Sequence, residues 1–98
     1  MARVLLSALA TQDVRDILSD LRERGGRAVA DRYGADFERI YRSLAQLPAG
    51  GSPRRSLGPN VRAKIVYPYV LFYEHVADTV TVLRIPHGHR DITADLLG

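Results

Sequence analysis

The chain contains no cysteine and no tryptophan, a single methionine, and only one lysine among its fourteen basic residues. Without cysteine there is no disulfide framework, no thiolate zinc site and no cysteine nucleophile, and the lack fits a reducing compartment. Three histidines are left as possible ligands. No apolar run approaches the roughly 18–20 residues that would span a bilayer, so no membrane is expected among its partners. The stretch from Met1 to Ala10 imitates a signal peptide, with one basic residue and an A-x-A end. Its apolar segment is short and broken by Ser7, and its removal would cost the fold a strand. Arg3 to Ala8 is therefore read as a first strand and the protein as cytoplasmic. At 98 residues the chain is long enough for one core, and residues 1–98 are expected to form a single domain stable by about 5–10 kcal/mol without staples.

The net charge of +3 conceals a lopsided choice of base, since Lys64 stands alone beside thirteen arginines. Arginine offers a planar fork suited to phosphate or carboxylate, although codon usage can enrich it without any function. Position says more than the total. Residues 1–49 are close to neutral, whereas Ala49 to Tyr73 holds Arg54, Arg55, Arg62 and Lys64 and no acid. An acidic or anionic partner would meet that region first.

Thr11 is placed to cap a helix in which Val14, Ile17, Leu18 and Leu21 gather on one face, with Asp13, Asp16, Arg22, Glu23 and Arg24 mainly on the other. Gly25-Gly26 stops it. A second amphipathic helix, from about Arg27 to Gln46, carries Ala30, Tyr33, Phe37, Ile40, Tyr41, Leu44 and Leu47 at helical spacing and completes an αα-hairpin. Gly34 inside it implies either a close approach or a bend. Pro48 to Asn60 holds six glycines and prolines in thirteen residues, which excludes any regular element and predicts a loop.

Beyond the loop the period becomes two. Val61, Ala63, Ile65 and Tyr67 alternate with Arg62, Lys64 and Val66, and Pro68 turns the chain. Tyr69 to Glu74 is apolar on both sides of the alternation, as in a central strand covered on both faces. Thr79 to Ile85 is the next strand, and the short link His75 to Asp78 makes a hairpin. The order β-α-α-β-β-β predicts an α+β fold, a helical hairpin packed on a small antiparallel sheet whose other face is partly open. Val14, Phe37 and Phe72 are expected to share one interior. Ile92, Leu96 and Leu97 of the tail are expected to dock close to the sheet.

Taken together, these residues resemble the ParE/RelE superfamily of toxin–antitoxin toxins, and more closely its ParE-like branch. The resemblance spans nearly the whole chain. It rests on the Val4-Leu5-Leu6-Ser7 strand with Ala10, Asp13, Val14 and Ile17, on Ala28 to Arg32, and on Ile40, Leu44, Leu47-Pro48 and Gly51. The C-terminal half carries it further, with Tyr69 to Tyr73, the Asp78 hairpin, Val80 to Ile85 and His87 to Ile92 in order. The resemblance implies a small toxin, in a hetero-oligomer with a cognate antitoxin that wraps it with a C-terminal segment. ParE-like members bind and inhibit DNA gyrase, as plasmid-stabilisation systems do, and RelE-like members cut messenger RNA on the ribosome. An inactive toxin-fold interaction module is a third reading.

A ribonuclease of the RelE kind needs bases around the scissile phosphate and a group to move a proton. Arg62, Lys64, Arg84, His87 and Arg90 are the candidates for that role. No tyrosine follows Tyr73, however, where RelE-like members commonly place a catalytic one, and this favours the binder. Binding to target or antitoxin is assigned to Arg54, Arg55, Arg62, Lys64, Arg84, His89 and Arg90, with Arg90 and Asp91 also able to pair and hold the tail. His87 and His89 flank one glycine without a third ligand, a poor zinc pair, so no metal and no cofactor is expected. Phe72 reads as core, while Tyr67 and Tyr69 divide between core and a stacking surface. An exposed apolar rim between helices and sheet is the expected antitoxin groove.

Overall fold

The computed structural model describes residues 1–88 and 92–98. Strand β1 (Arg3–Leu6) leads into helix α1 (Ala8–Gly25), and α2 (Arg27–Gln46) follows after the single residue Gly26. That glycine has φ 87°, a backbone region open to glycine at no steric cost, and this permits so abrupt a reversal. A two-residue strand β2 (Ser52–Pro53), a 3-10 turn at Arg55–Leu57, the strands β3 (Val61–Val66), β4 (Tyr69–Val76) and β5 (Thr79–Arg84), and a final 3-10 turn at Ala94–Leu97 complete the chain.

The α+β architecture and the hairpin of helices match the reading of the sequence, with five departures. The cap of α1 is Ser7, not Thr11: the Ser7 hydroxyl accepts the Ala10 N–H at 3.0 Å and donates to the Leu83 carbonyl at 2.8 Å. The helix therefore starts four residues early and β1 ends at Leu6. Thr11 falls in the first turn, its hydroxyl on the Ser7 carbonyl. The sheet is mixed, not purely antiparallel. Its order is β1-β5-β4-β3-β2, with β1 parallel to β5 and every other pair antiparallel. The long loop also holds some regular backbone in β2 and its 3-10 turn. At Gly34 an added Cβ would meet only Leu18 Cδ1 at 3.8 Å, an ordinary contact, so no close approach requires the glycine.

Register decides which side each residue faces, because neighbours across a ladder share a face. Tyr69, Leu71 and Tyr73 point to the helices and, with Phe37, Leu44, Val80, Val82 and Ile85, form the main core, against which Val14, Ile17 and Leu18 pack. Between Tyr73, opposite Val82, and Phe72, opposite Arg84, the register slips by one residue on β5. The fifth departure follows from the same alternation. Phe72 lies on the opposite face from Phe37 and Val14, in a second cluster with Val61 and Ala63, covered in part by Leu57, Leu83, Ile92 and Leu97. The tail does dock on the sheet, on that second face. No helix among the described residues is long and apolar enough to cross a membrane.

Candidate functional site

The basic stretch folds into a tied loop at one end of the sheet. Tyr73, fully buried on β4, sends its hydroxyl beneath the loop, where it donates to the Pro48 carbonyl at 2.7 Å and accepts the Gly51 N–H at 2.9 Å. Burial pushes the Tyr73 phenol up, against the opposing pull of the Gly51 N–H and the Arg62 charge. A Cβ on Gly51 would stand 2.7 Å from that hydroxyl and 2.7 Å from the Ala63 carbonyl, so only glycine lets the loop settle here. Arg62 finishes the tie, with Nη1 donating to the carbonyls of Ala49 at 3.2 Å and Gly51 at 2.9 Å.

The candidate bases separate into groups. Arg62 and Lys64 stand opposite Tyr73 and Leu71, so both project on the helix-covered side of the sheet, as their two-residue spacing requires. Lys64 Nζ comes within 3.8 Å of where a Gly50 Cβ would be. Arg54 bonds locally to Ser52 Oγ and the Pro53 carbonyl, and Arg55 is exposed beside it. Arg84 does not join them. Its guanidinium grips Asp13 of α1 in a two-pronged pair, Nε to Oδ2 at 2.7 Å and Nη2 to Oδ1 at 3.0 Å, and its Nη1 donates to the Leu96 carbonyl at 2.9 Å. Asp13 Oδ2 also accepts the Ile85 N–H at 2.9 Å. Both side chains of the pair are only 16% exposed, so Asp13 faces β5 and not the outer side of the helix. His87 is exposed, forms an isolated bridge with Tyr69 and meets its ring edge-on at 5.8 Å. His89, Arg90 and Asp91 lie outside the described residues.

The β3 end of the sheet's second face, away from the helices, is apolar. Ile65 and Tyr67 are 63% and 80% exposed, and they line a depression of about 220 Å³ with Pro68, Tyr69 and Val70. A second depression of about 240 Å³, at Leu57, Val70, Phe72 and Ile92 with Arg54 on its rim, adjoins it through Val70. Tyr69 is buried among Tyr33 and Phe37 and belongs to the core, while Tyr67 is surface. The groove between helices and sheet, about 360 Å³, is not the expected apolar rim, since Arg32, Asp36 and Arg39 line it beside Tyr33, Ile65 and Tyr67. Asp13 and the hydroxyl role of Tyr73 escaped the sequence reading. An acid one turn inside an amphipathic helix and a tyrosine in an apolar strand were the available signals.

Residues 4–92 match the model of the family described as ParE toxin of type II toxin–antitoxin system, parDE. Over 96 residues the chain is 28% identical to Toxin ParE3 of Caulobacter vibrioides, which covers 98% of this chain and 96% of that one. Among solved structures, the chromosomal ParDE toxin–antitoxin system from P. aeruginosa superposes with a TM-score of 0.73 at 21% identity, over 89% of this chain and 96% of that one. The superposition supports the fold and the family match spans most of the chain. This chain belongs to the ParE toxin family of type II toxin–antitoxin systems.

Proposed function

We propose that the chain acts by binding, as an inhibitor of DNA gyrase in the cytoplasm, and that a cognate antitoxin neutralises it in a hetero-oligomer. One observation carries the preference for a binder. Arg84, one of the bases that a ribonuclease would gather around a phosphate, is locked to Asp13 and Leu96, away from Arg62, which uses Nη1 to hold the loop. The face of the sheet away from the helices, where a long substrate could lie, presents Ile65, Tyr67 and Val70 instead. The Arg84 guanidinium, with Nε, Nη1 and Nη2 all engaged at short range, has little left with which to stabilise developing charge.

The same apolar face suits an antitoxin segment whose hydrophobic side chains fill the two adjoining depressions, because contiguous exposed apolar surface on a small domain marks a partner site. Arg54, Arg55 and Lys64, in a stretch without acids, supply charge complementarity to an acidic segment of antitoxin or target. His89 and Arg90, proposed as contacts of the same partner, lie outside the described residues. Residues 1–98 act as one domain in this reading.

Two assays in parallel test it. Purified chain should block negative supercoiling by gyrase and leave messenger intact in a translating ribosome extract. Cleaved messenger with normal supercoiling would overturn the reading in favour of a RelE-like nuclease. Harmless, monodisperse production without any partner would indicate an inactive interaction module.

A further inference from the structure

Behind the tied loop, at the end of the sheet where β3 begins, Pro53, Arg55, Pro59, Asn60, Arg62 and His75 line a cleft of about 150 Å³. Three of these side chains carry or can carry positive charge, one is an amide with two donors, and none is a carboxylate. We propose that this cleft is a binding site for a phosphate group, borne either by a small free anion or by a nucleic-acid backbone.

The geometry is that of a prepared site. Arg62 is fixed by its two carbonyl bonds, both made by Nη1, so Nε and Nη2 are not consumed in holding the loop. His75 is held in place by its backbone, whose N–H donates to the Asn60 carbonyl at 3.2 Å, and this sets the amide and the imidazole at one end of the β3–β4 ladder. Two prolines restrict the rim. An anion entering here would find donors of three kinds without displacing any existing side-chain bond of Arg62. Glu74, adjacent to His75, stands opposite Val61, which also borders the cleft, but Glu74 is not itself among the residues that line it. This site does not depend on gyrase being the target, and its test is independent of the supercoiling assay.

The test is an NMR titration of the chain, made by cell-free synthesis, with the Arg62 guanidinium and His75 ring signals followed at constant ionic strength. Inorganic phosphate replaces chloride in one arm, and a short DNA duplex is added in the other. Saturable shifts at Arg62 and His75 are expected, and Arg55→Gln, at an exposed position that the fold does not need, should weaken binding about tenfold, the worth of one charge-assisted hydrogen bond. Arg39→Gln, on the far side of α2's groove, should change nothing. Binding of phosphate but not duplex assigns the site to a free anion, and tighter binding of the duplex assigns it to a backbone. Unsaturable shifts spread over all arginines, or equal losses in Arg55→Gln and Arg39→Gln, would overturn the proposal. His75→Gln supplies a second check, since it should weaken phosphate binding while the melting temperature stays unchanged.

Discussion

Replacing Asp13 by alanine should be among the most damaging single changes on α1. The carboxylate takes both prongs of Arg84 and the Ile85 N–H, so its loss strands a guanidinium and a backbone donor together. Breaking one side of a fully buried ion pair costs about 3–5 kcal/mol. Here 16% of each side chain is exposed and water reaches part of the site, so about 2–4 kcal/mol is expected. For a chain of this size each kcal/mol corresponds to about 4–8 °C, and the midpoint should fall by about 8–32 °C. Asp13 holds the Arg84 pKa above its ordinary value. The Arg84 contribution is therefore present below that ordinary value and constant over the working pH range. Urea unfolding followed by circular dichroism measures the loss, and a double-mutant cycle locates it. The Asp13→Ala, Arg84→Met pair should recover much of the stability lost in Asp13→Ala alone, because most of the penalty is an uncompensated charge. Losses under about 0.5 kcal/mol in each single variant, adding without coupling, would describe a solvated surface pair and refute the reasoning.

Tyr73→Phe keeps the ring and removes the bonds to Pro48 and Gly51, so it should cost about 1–3 kcal/mol and raise hydrogen exchange at the Gly51 amide well above that of β4. Tyr41 carries a hydroxyl that is buried without a partner among the described residues, and Tyr41→Phe should hold or raise stability by up to about 1 kcal/mol in the same unfolding assay. Burial, then Glu38, pushes the Tyr41 phenol up to about 12 from 10.0. The unfolded chain thus releases that proton first, and stability present below pH 10 should fall between pH 10 and 12. Tyr69 and Tyr73, also raised by burial, act in the same direction, and Tyr41→Phe should make the fall shallower without abolishing it. At the β4–β5 turn Ala77 adopts φ 55°, a left-handed conformation that glycine takes without cost, so Ala77→Gly should stabilise the chain by up to about 1 kcal/mol, read from the urea midpoint.

Much of the fold was legible because period survives in a single sequence. The spacing of Val14, Ile17, Leu18 and Leu21, and the double-sided apolar run of β4, each follow from what one element must bury. The direction of β1 does not. Its alternation of half-buried and exposed residues is the same whether its neighbour runs parallel or antiparallel. The neighbour became β5 because the β3–β4–β5 meander leaves that edge open to the chain's first strand. Ser7 rather than Thr11 caps α1 for a similarly non-local reason. Its hydroxyl also reaches the Leu83 carbonyl, 76 positions away, a bond that Thr11 one turn later could not make. Phe72 was assigned to the right kind of environment and the wrong side, because a strand covered on both faces gives no local sign of which cover carries which residue.

The site was less legible, since its character depends on where charges end up rather than on which charges exist. Composition located the basic stretch and the glycine-rich loop beside it. It could not show that one phenol and one guanidinium convert that loop into a fixed feature, or that Arg84 answers Asp13 across 71 positions. Register does the rest. Had β3 paired one residue out of step, Arg62 and Lys64 would have pointed to the uncovered face and Ala63 and Ile65 to the helices. The core would have suffered, and the open face would have gained a row of bases fit for handling RNA. The register that buries Ala63 beside Phe72 therefore does two things with one choice: it completes the second apolar cluster, and it puts Ile65 rather than Arg62 and Lys64 on the face away from the helices.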